Sequence, residues 1–203
     1  MSMGDHYYTA QPTVKSNQKK WETKIKDKTF QFYSDAGVFS KGRVDFGSRL
    51  LIESVDPSTY PTGDWLDMGC GYGPMGISLA AFNPEVQVHM VDINERATSL
   101  AKQNAALNQV ENVTIYPSNL YDQVEQKEFA AIFSNPPIRA GKKVVHEILE
   151  KAYEYLKEEG YLTIVIQKKQ GAPSAQSKME EVFGNVTRIG LDKGYWILTS
   201  QKQ

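Results

Sequence analysis

The stretch Asp67-Met68-Gly69-Cys70-Gly71-Tyr72-Gly73-Pro74-Met75-Gly76 decides how the rest of the chain is read. A short apolar run, Trp65-Leu66, precedes it, an amphipathic segment follows, and four glycines fall within residues 69–76. This pattern predicts a strand, a tight turn and the N-terminus of a helix. Glycines there allow positive φ and let a ligand lie against bare main chain. Two ligand frames overlap. Gly71-Tyr72-Gly73-Pro74-Met75-Gly76 matches G-x-G-x-x-G, and Asp92 follows Gly71 by 21 residues, the spacing of an acidic residue that holds a ribose in a dinucleotide site. In the other frame, Asp67-x-Gly69-x-Gly71-x-Gly73, a carboxylate closes the strand, where it would repel a pyrophosphate.

Working outward, strands and helices alternate. Strands are expected at 64–68, 86–91, 113–116, 129–134, 161–166, 186–191 and 195–199, and helices at 74–82, 94–107, 142–156 and 175–183, with Gly160 ending the fourth region. Asp45 is placed to cap a further helix carrying Leu50, Leu51, Ile52 and Val55 and stopping before Pro57. The order predicts an α/β fold: a doubly wound, mainly parallel sheet whose last strand enters antiparallel through the turn Asp192-Lys193-Gly194. Upstream, residues 21–34 alternate apolar and polar side chains across Lys26-Asp27-Lys28, a hairpin pattern. We therefore divide the chain into an N-terminal arm and hairpin, 1–45, and a single α/β unit, 46–203.

Composition narrows the chemistry. The 203 residues carry a net charge of −1, so no global field draws the chain to a polyanion. Residues 1–43 are locally basic, with eight Lys/Arg against four Asp/Glu, which suits either a solvated arm or a polyanion contact. One cysteine excludes an intramolecular disulfide and a cysteine metal cluster, and three histidines make no evident metal site. No long apolar run or signal-like segment is present, which leaves no membrane partner and a cytoplasmic location as the expectation.

In doubly wound sheets ligands bind at the carboxyl ends of strands. Those ends carry Asp67-Met68-Gly69, Asp92, Ser118-Asn119 and Asn135-Pro136-Pro137. A cofactor with a cationic amino-acid end and no phosphate, S-adenosylmethionine, suits the Asp67 frame. Asp67 then lies near the methionine end, Gly69, Gly71 and Gly73 line the cofactor, Gly76 serves helix packing, Asp92 accepts from the ribose hydroxyls and Asn119 faces the adenine edge. Ser134-Asn135-Pro136-Pro137-Ile138 follows the most apolar strand. Its prolines remove two N–H donors and hold the chain extended. The Asn135 amide oxygen and the Pro136 carbonyl can accept both hydrogens of an –NH₂ group and aim its lone pair at an electrophile. Cys70 has no evident base beside it, which disfavours a covalent cysteine mechanism.

Together these two motifs resemble class I S-adenosylmethionine-dependent methyltransferases acting on planar amino groups. Gly37-Val38-Phe39-Ser40 followed by Asp45-x-Gly47-x-x-Leu50-Leu51 narrows the resemblance to the methyltransferase small domain family, whose best-known members are RsmC-type 16S rRNA guanine-N2 methyltransferases. The resemblance implies a Rossmann-like seven-stranded sheet. It implies S-adenosylmethionine as cofactor and S-adenosylhomocysteine as product. Asp67, Gly69, Gly71, Gly73, Asp92, Ile93, Asn119 and Asn135 are then the cofactor residues, and Asn135, Pro136, Pro137 and Ile138 the catalytic loop. The implied acceptor is guanine N2 in ribosomal RNA or the 30S subunit, with Phe39, Arg139, Lys142 and Lys143 as substrate contacts. Family members commonly carry an aromatic residue where this chain has Ile138, and the better-known ones have two tandem domains. Protein glutamine and adenine amino groups are alternative acceptors within the class; an NAD-dependent dehydrogenase and a non-catalytic cofactor-binding protein are the alternatives outside it.

Overall fold

The computed structural model describes residues 10–38 and 44–203. Two strands, β1 (Lys19–Ile25) and β2 (Lys28–Ser34), form an antiparallel hairpin. Seven more form the main sheet: β3 (Trp65–Met68), β4 (Val88–Asp92), β5 (Val113–Pro117), β6 (Phe129–Ser134), β7 (Leu156–Gln167), β8 (Thr187–Asp192) and β9 (Tyr195–Gln201). Their spatial order is β5-β4-β3-β6-β7-β9-β8, with β9 antiparallel to both neighbours. The helices are α1 (Phe46–Ser54), α2 (Pro74–Phe82), α3 (Glu95–Leu107), α4 (Lys142–Tyr155) and α5 (Ala172–Phe183). The doubly wound, mainly parallel sheet and its antiparallel last strand are as expected from the element order.

The chain winds outward from β3 to β4 and β5, then returns to lay β6 on the other side of β3. That reversal opens a crevice between the carboxyl ends of β3 and β6, the usual ligand site of such sheets. Met68 pairs with Ser134 in register, and the Ser134 hydroxyl donates to the Met68 carbonyl at 2.9 Å. Both strands are buried throughout. Their side chains alternate between two cores. Trp65, Ala131, Phe133 and Ile197 pack with α1, α2 and α3, whereas Leu66, Ile132, Ile164 and Leu198 pack with α4 and α5.

Three sequence expectations need correction. First, α2 is not amphipathic. Residues Pro74 to Ala80 are all buried because this helix packs between the sheet, α1 and α3, and the hairpin closes over its two ends: Phe30 meets Phe82 edge-on, and Trp21 and Phe32 meet Tyr72. Second, Gly160 does not end the region before the strand expected at 161–166 but lies inside that strand. The fourth helix stops at Tyr155, and β7 begins at Leu156 and runs through Gly160, with a bulge against β6. A Cβ at Gly160 would lie 2.9 Å from the carbonyl oxygens of Lys157 and Phe129, so only glycine fits this close approach. Third, α5 starts at Ala172 rather than 175, with Pro173 in its first turn, where a missing N–H costs nothing.

The hairpin is fastened to α3 by two asparagines. Asn104 accepts from the Tyr33 N–H at 2.7 Å and donates to the carbonyls of Tyr33 (2.9 Å) and Tyr72 (2.8 Å). Asn108 accepts from the Gln31 N–H at 2.9 Å and donates to its carbonyl at 2.7 Å. Asn104 therefore ties the hairpin directly to the glycine turn. Among the described residues no helix is long and apolar enough to cross a membrane.

Candidate active site

A cavity of about 280 Å³ opens between the carboxyl ends of β3 and β6. Asp67, Gly69, Gly71, Asp92, Ile93, Asn135, Pro136, Pro137, Ile138 and Arg139 line it. Residues proposed from positions far apart in the sequence thus share one wall, because β3 and β6 are adjacent. Gly69 and Gly71 hold φ of +81° and +56°, and a Cβ on either would meet nothing within 4 Å. Their bare faces look into open space that a ligand can fill.

Gly73 and Asn119 do not line this cavity. Gly73 caps α2 with φ of +98°, and a Cβ there would strike Ile77 at 2.7 Å and Met90 at 3.1 Å. It permits close packing behind the turn, as Gly76 does, where a Cβ would lie 2.8 Å from Met90 and from Asp67 Oδ2. Asn119 is exposed; its flanking residues Ser118 and Leu120 line the cavity instead. Lys142 and Lys143 lie exposed in the first turn of α4 beside the mouth. Phe39 lies outside the described residues.

The carboxylates decide what kind of ligand fits. Asp67 is fully buried. Its Oδ2 accepts from the Gly76 N–H at 2.9 Å, and its Oδ1 has no partner among the described residues. A free donor of a helix N-terminus is what a pyrophosphate uses, and here a carboxylate takes the Gly76 N–H. Asp92 braces the glycine turn. Its Oδ2 accepts from the Gly71 N–H and its Oδ1 from the Asn94 N–H, both at 2.9 Å. Three carboxylates, Asp45, Asp67 and Asp92, face one guanidinium, Arg139, among the lining residues. This set suits a cationic ligand with hydroxyl groups and disfavours a dinucleotide, so the residues fit S-adenosylmethionine.

Burial raises the Asp67 carboxyl from 3.8 to about 7, against the Gly76 hydrogen bond and with a further push from Asp92. Burial likewise raises Asp92, opposed by the two backbone N–H groups. The Cys70 thiol is pushed well up by burial and by the same two carboxylates, so it stays protonated and is no nucleophile. A carboxyl with a higher pKa folded than unfolded binds its proton more tightly in the folded state. Its contribution to stability is therefore fully present below 3.8 and lost as pH rises through about 7. The expected result is a wild-type melting temperature that falls between pH 5 and pH 8 relative to Asp67→Asn, measured without ligand. Parallel melting curves across that range would contradict the assignment.

The acceptor half of the cavity is organised by the start of α1. Asp45 caps this helix, its Oδ1 accepting from the Ser48 N–H at 3.0 Å. The same oxygen lies 3.2 Å from Asn135 Nδ2, and the Ser48 hydroxyl lies 3.1 Å from it. A carboxylate only accepts, so the Asn135 amide must turn its NH₂ towards α1. Its carbonyl oxygen is then left for a ligand. In the sequence Asp45 carries only the signal of a helix cap and Ser48 carries none, since nothing local links either to residue 135. Among the described residues no group of three or more His, Cys, Asp or Glu is arranged to hold a metal.

A model of the methyltransferase small domain matches residues 29–199. The uncharacterized protein YbxB of Bacillus subtilis is 53% identical over 201 residues, covering 98% of this chain and all of that one. The ribosomal RNA small subunit methyltransferase C of Aliivibrio salmonicida is 31% identical over 188 residues, which is 91% of this chain and 53% of that protein. The chain therefore spans about half the length of these methyltransferase C relatives. Among solved structures, the T. thermophilus 16S rRNA N2 methyltransferase RsmC, in complex with AdoMet and guanosine, superposes with a TM-score of 0.83 at 23% identity, over 95% of this chain and 52% of that one.

Proposed function

Because the chain belongs to the methyltransferase small domain family and uses S-adenosylmethionine as methyl donor, we propose that it methylates an exocyclic amine of a nucleobase, with guanine N2 of small-subunit ribosomal RNA the acceptor best suited. The observation that carries this reading is the orientation of Asn135, whose NH₂ is held by Asp45 and Ser48. The methyltransferase C relatives, named for ribosomal RNA of the small subunit, support the RNA assignment.

When bound, the cofactor supplies an electrophilic methyl group on a sulfonium. The chain's own residues bind and orient. Asp67, buried with Oδ1 unpartnered, would act on the cationic amino-acid end through water or neighbouring main chain, Gly69 and Gly71 would leave room beside the main chain, and Asp92 would accept from ribose hydroxyls. Ile93 and Leu120 cover apolar surface. On the acceptor side, Asn135 Oδ1 and the Pro136 carbonyl accept the two amine hydrogens. This draws electron density onto nitrogen and points its lone pair along one line. No residue need remove a proton first, because the nitrogen becomes acidic only after it has gained the methyl group.

Basic residues stand close in sequence to the residues that line this half. Arg139, Lys142 and Lys143 follow the Asn-Pro-Pro loop; Lys168 and Lys169 follow β7; Lys193 lies in the β8–β9 turn, which accepts a 2.8 Å hydrogen bond from the Lys168 N–H. Cations in the first turn of a helix are unfavourable, and Lys142 and Lys143 occupy that turn with no side-chain cap. Phosphates flanking an extruded base would offset this cost.

Methyl labelling of naked rRNA, 30S subunits, tRNA and total protein, followed by nucleoside and amino-acid analysis, tests the proposal. Label in N2-methylguanosine is the expected result. Label in N6-methyladenosine or methylglutamine would replace the acceptor. Asp45→Ala provides a second check. It frees the Asn135 amide to rotate and removes the cap of α1, so kcat is expected to fall about tenfold or more and stability by about 1 kcal/mol. Affinity for S-adenosylhomocysteine should stay within a few-fold, as calorimetry would read.

A further inference from the structure

We propose that Tyr195 is the aromatic platform on which the acceptor's planar base lies, and that it restricts the acceptor to heteroaromatic amines; this rests on the reading of the chain as a nucleobase methyltransferase. Ile138 occupies the position after Asn-Pro-Pro, so that loop presents no ring to the cavity. A ring comes from elsewhere. Strand β9 runs antiparallel to β7, so its first residue, rather than its last, lies at the ligand end of the sheet, where Tyr195 pairs with Gln167. Tyr195 is half-buried and lines the same cavity as Asn135, Pro136 and Ile138.

Its ring is held in place from behind. A Cβ on Gly47 would lie 2.9 Å from both Cδ1 and Cε1 of Tyr195, so the ring edge rests on bare glycine main chain. Phe46 supports it with centroids 5.5 Å apart and a tilt of 50°. The Lys193 ammonium lies 4.7 Å from the centre of the Phe46 ring, which puts a cation next to this aromatic pair. The first turn of α1 therefore does two things at once. Asp45 and Ser48 orient the Asn135 amide, while Phe46 and Gly47 fix the Tyr195 ring. An amide cradle alone would accept any –NH₂ group, including a glutamine side chain. A supported ring on the same wall favours a flat π-system, since a base stacked on an aromatic side chain gains affinity whatever its hydrogen-bonding edge.

The test uses the full chain with the RNA it labels best. Tyr195→Leu is expected to raise KM for RNA by roughly tenfold or more, with a smaller effect on kcat and S-adenosylhomocysteine affinity within a few-fold by calorimetry. Tyr195→Phe should restore most of the lost affinity. Ile138→Phe, which places a second aromatic ring in the same cavity, should lower KM both in Tyr195→Leu and in the wild-type background. The wild-type arm does not depend on how well Tyr195→Leu folds. The proposal is overturned if Tyr195→Leu keeps the wild-type KM, if Tyr195→Phe is as poor as Tyr195→Leu, or if Ile138→Phe leaves both values unchanged. A wild-type chain that labels protein and no nucleic acid overturns the functional reading and this proposal together; a wild-type chain that labels RNA while Tyr195 proves indifferent overturns the platform alone.

Discussion

Replacement of Asn135 by alanine is expected to reduce methyl transfer by about a hundred- to a thousandfold while leaving S-adenosylhomocysteine affinity within a few-fold of wild type. The magnitude is that of removing one preorganised polar group from a reacting centre. The selectivity follows from position. Asn135 directly follows β6 on the acceptor side, whereas Gly69 and Gly71 lie in the turn between β3 and α2 and Asp92 ends β4. Alanine also leaves the Ser48 hydroxyl and Asp45 without their shared donor, but Asp45 keeps the Ser48 N–H and so keeps the cap of α1. Single-turnover kinetics with saturating cofactor, beside calorimetry, would read the two effects separately. An Asn135→Ala enzyme with wild-type kcat would remove the amine-cradle mechanism altogether. Asn135→Asp makes a sharper comparison. It keeps an acceptor oxygen but sets a second carboxylate close to Asp45, so one of the pair must hold a proton, and activity is expected to remain low above neutral pH.

The second large effect is expected at Asp92. Its two oxygens accept from two backbone N–H groups, Gly71 and Asn94, so it shapes the turn as well as facing the cavity. Asp92→Ala is expected to weaken S-adenosylhomocysteine binding by about a hundredfold, in line with the loss of hydrogen bonds to a charged acceptor. Asp92→Asn should be nearly as damaging. An amide has one accepting oxygen, and its NH₂ would have to face either Gly71 or Asn94, both of which donate. A chain in which Asp92→Asn binds the cofactor normally would show that the brace is dispensable. Binding by calorimetry and folding by thermal melting distinguish loss of the ligand from loss of the chain.

The sheet was readable from the sequence because its signals are local. Phe129–Ser134 is almost wholly apolar, as a strand covered on both faces must be, and Asn94 and Asp45 cap helices where polar residues precede helical spacing. The errors arose where a distant segment supplies the environment. Neighbouring α1 and α3, with the hairpin at its ends, bury the outer side of α2, a cover announced only by the apolar character of residues 74–82 on every side. Gly76 is assigned to helix packing by the Asp67 frame, as the structure has it, but Gly73 is indistinguishable from Gly69 and Gly71 by type and spacing. Only the packing of Met90 and Ile77 shows which glycine faces shape a cavity and which admit a neighbouring side chain. Asn119 stands at a strand end, as the pattern required, yet the chain turns there so that its neighbours line the site. The partners of Asn135 were hidden for the same reason. Residues 45, 48 and 135 meet only through the sheet's order, and a helix cap alone accounts for an aspartate at position 45.

The two asparagines on α3 have a consequence for the outer edge of the hairpin. A lone two-stranded ribbon leaves a row of unpaired backbone groups, an invitation to a third strand from another chain. Residues four apart on a helix are separated by about 6.0 Å along its axis, and residues two apart on a strand by about 6.8 Å. The two repeats are nearly commensurate. Asn104 and Asn108 can therefore serve Tyr33 and Gln31 much as a neighbouring strand would. One turn of helix thus terminates the ribbon, at the cost of two side chains, and leaves those positions with no pairing to offer to another molecule.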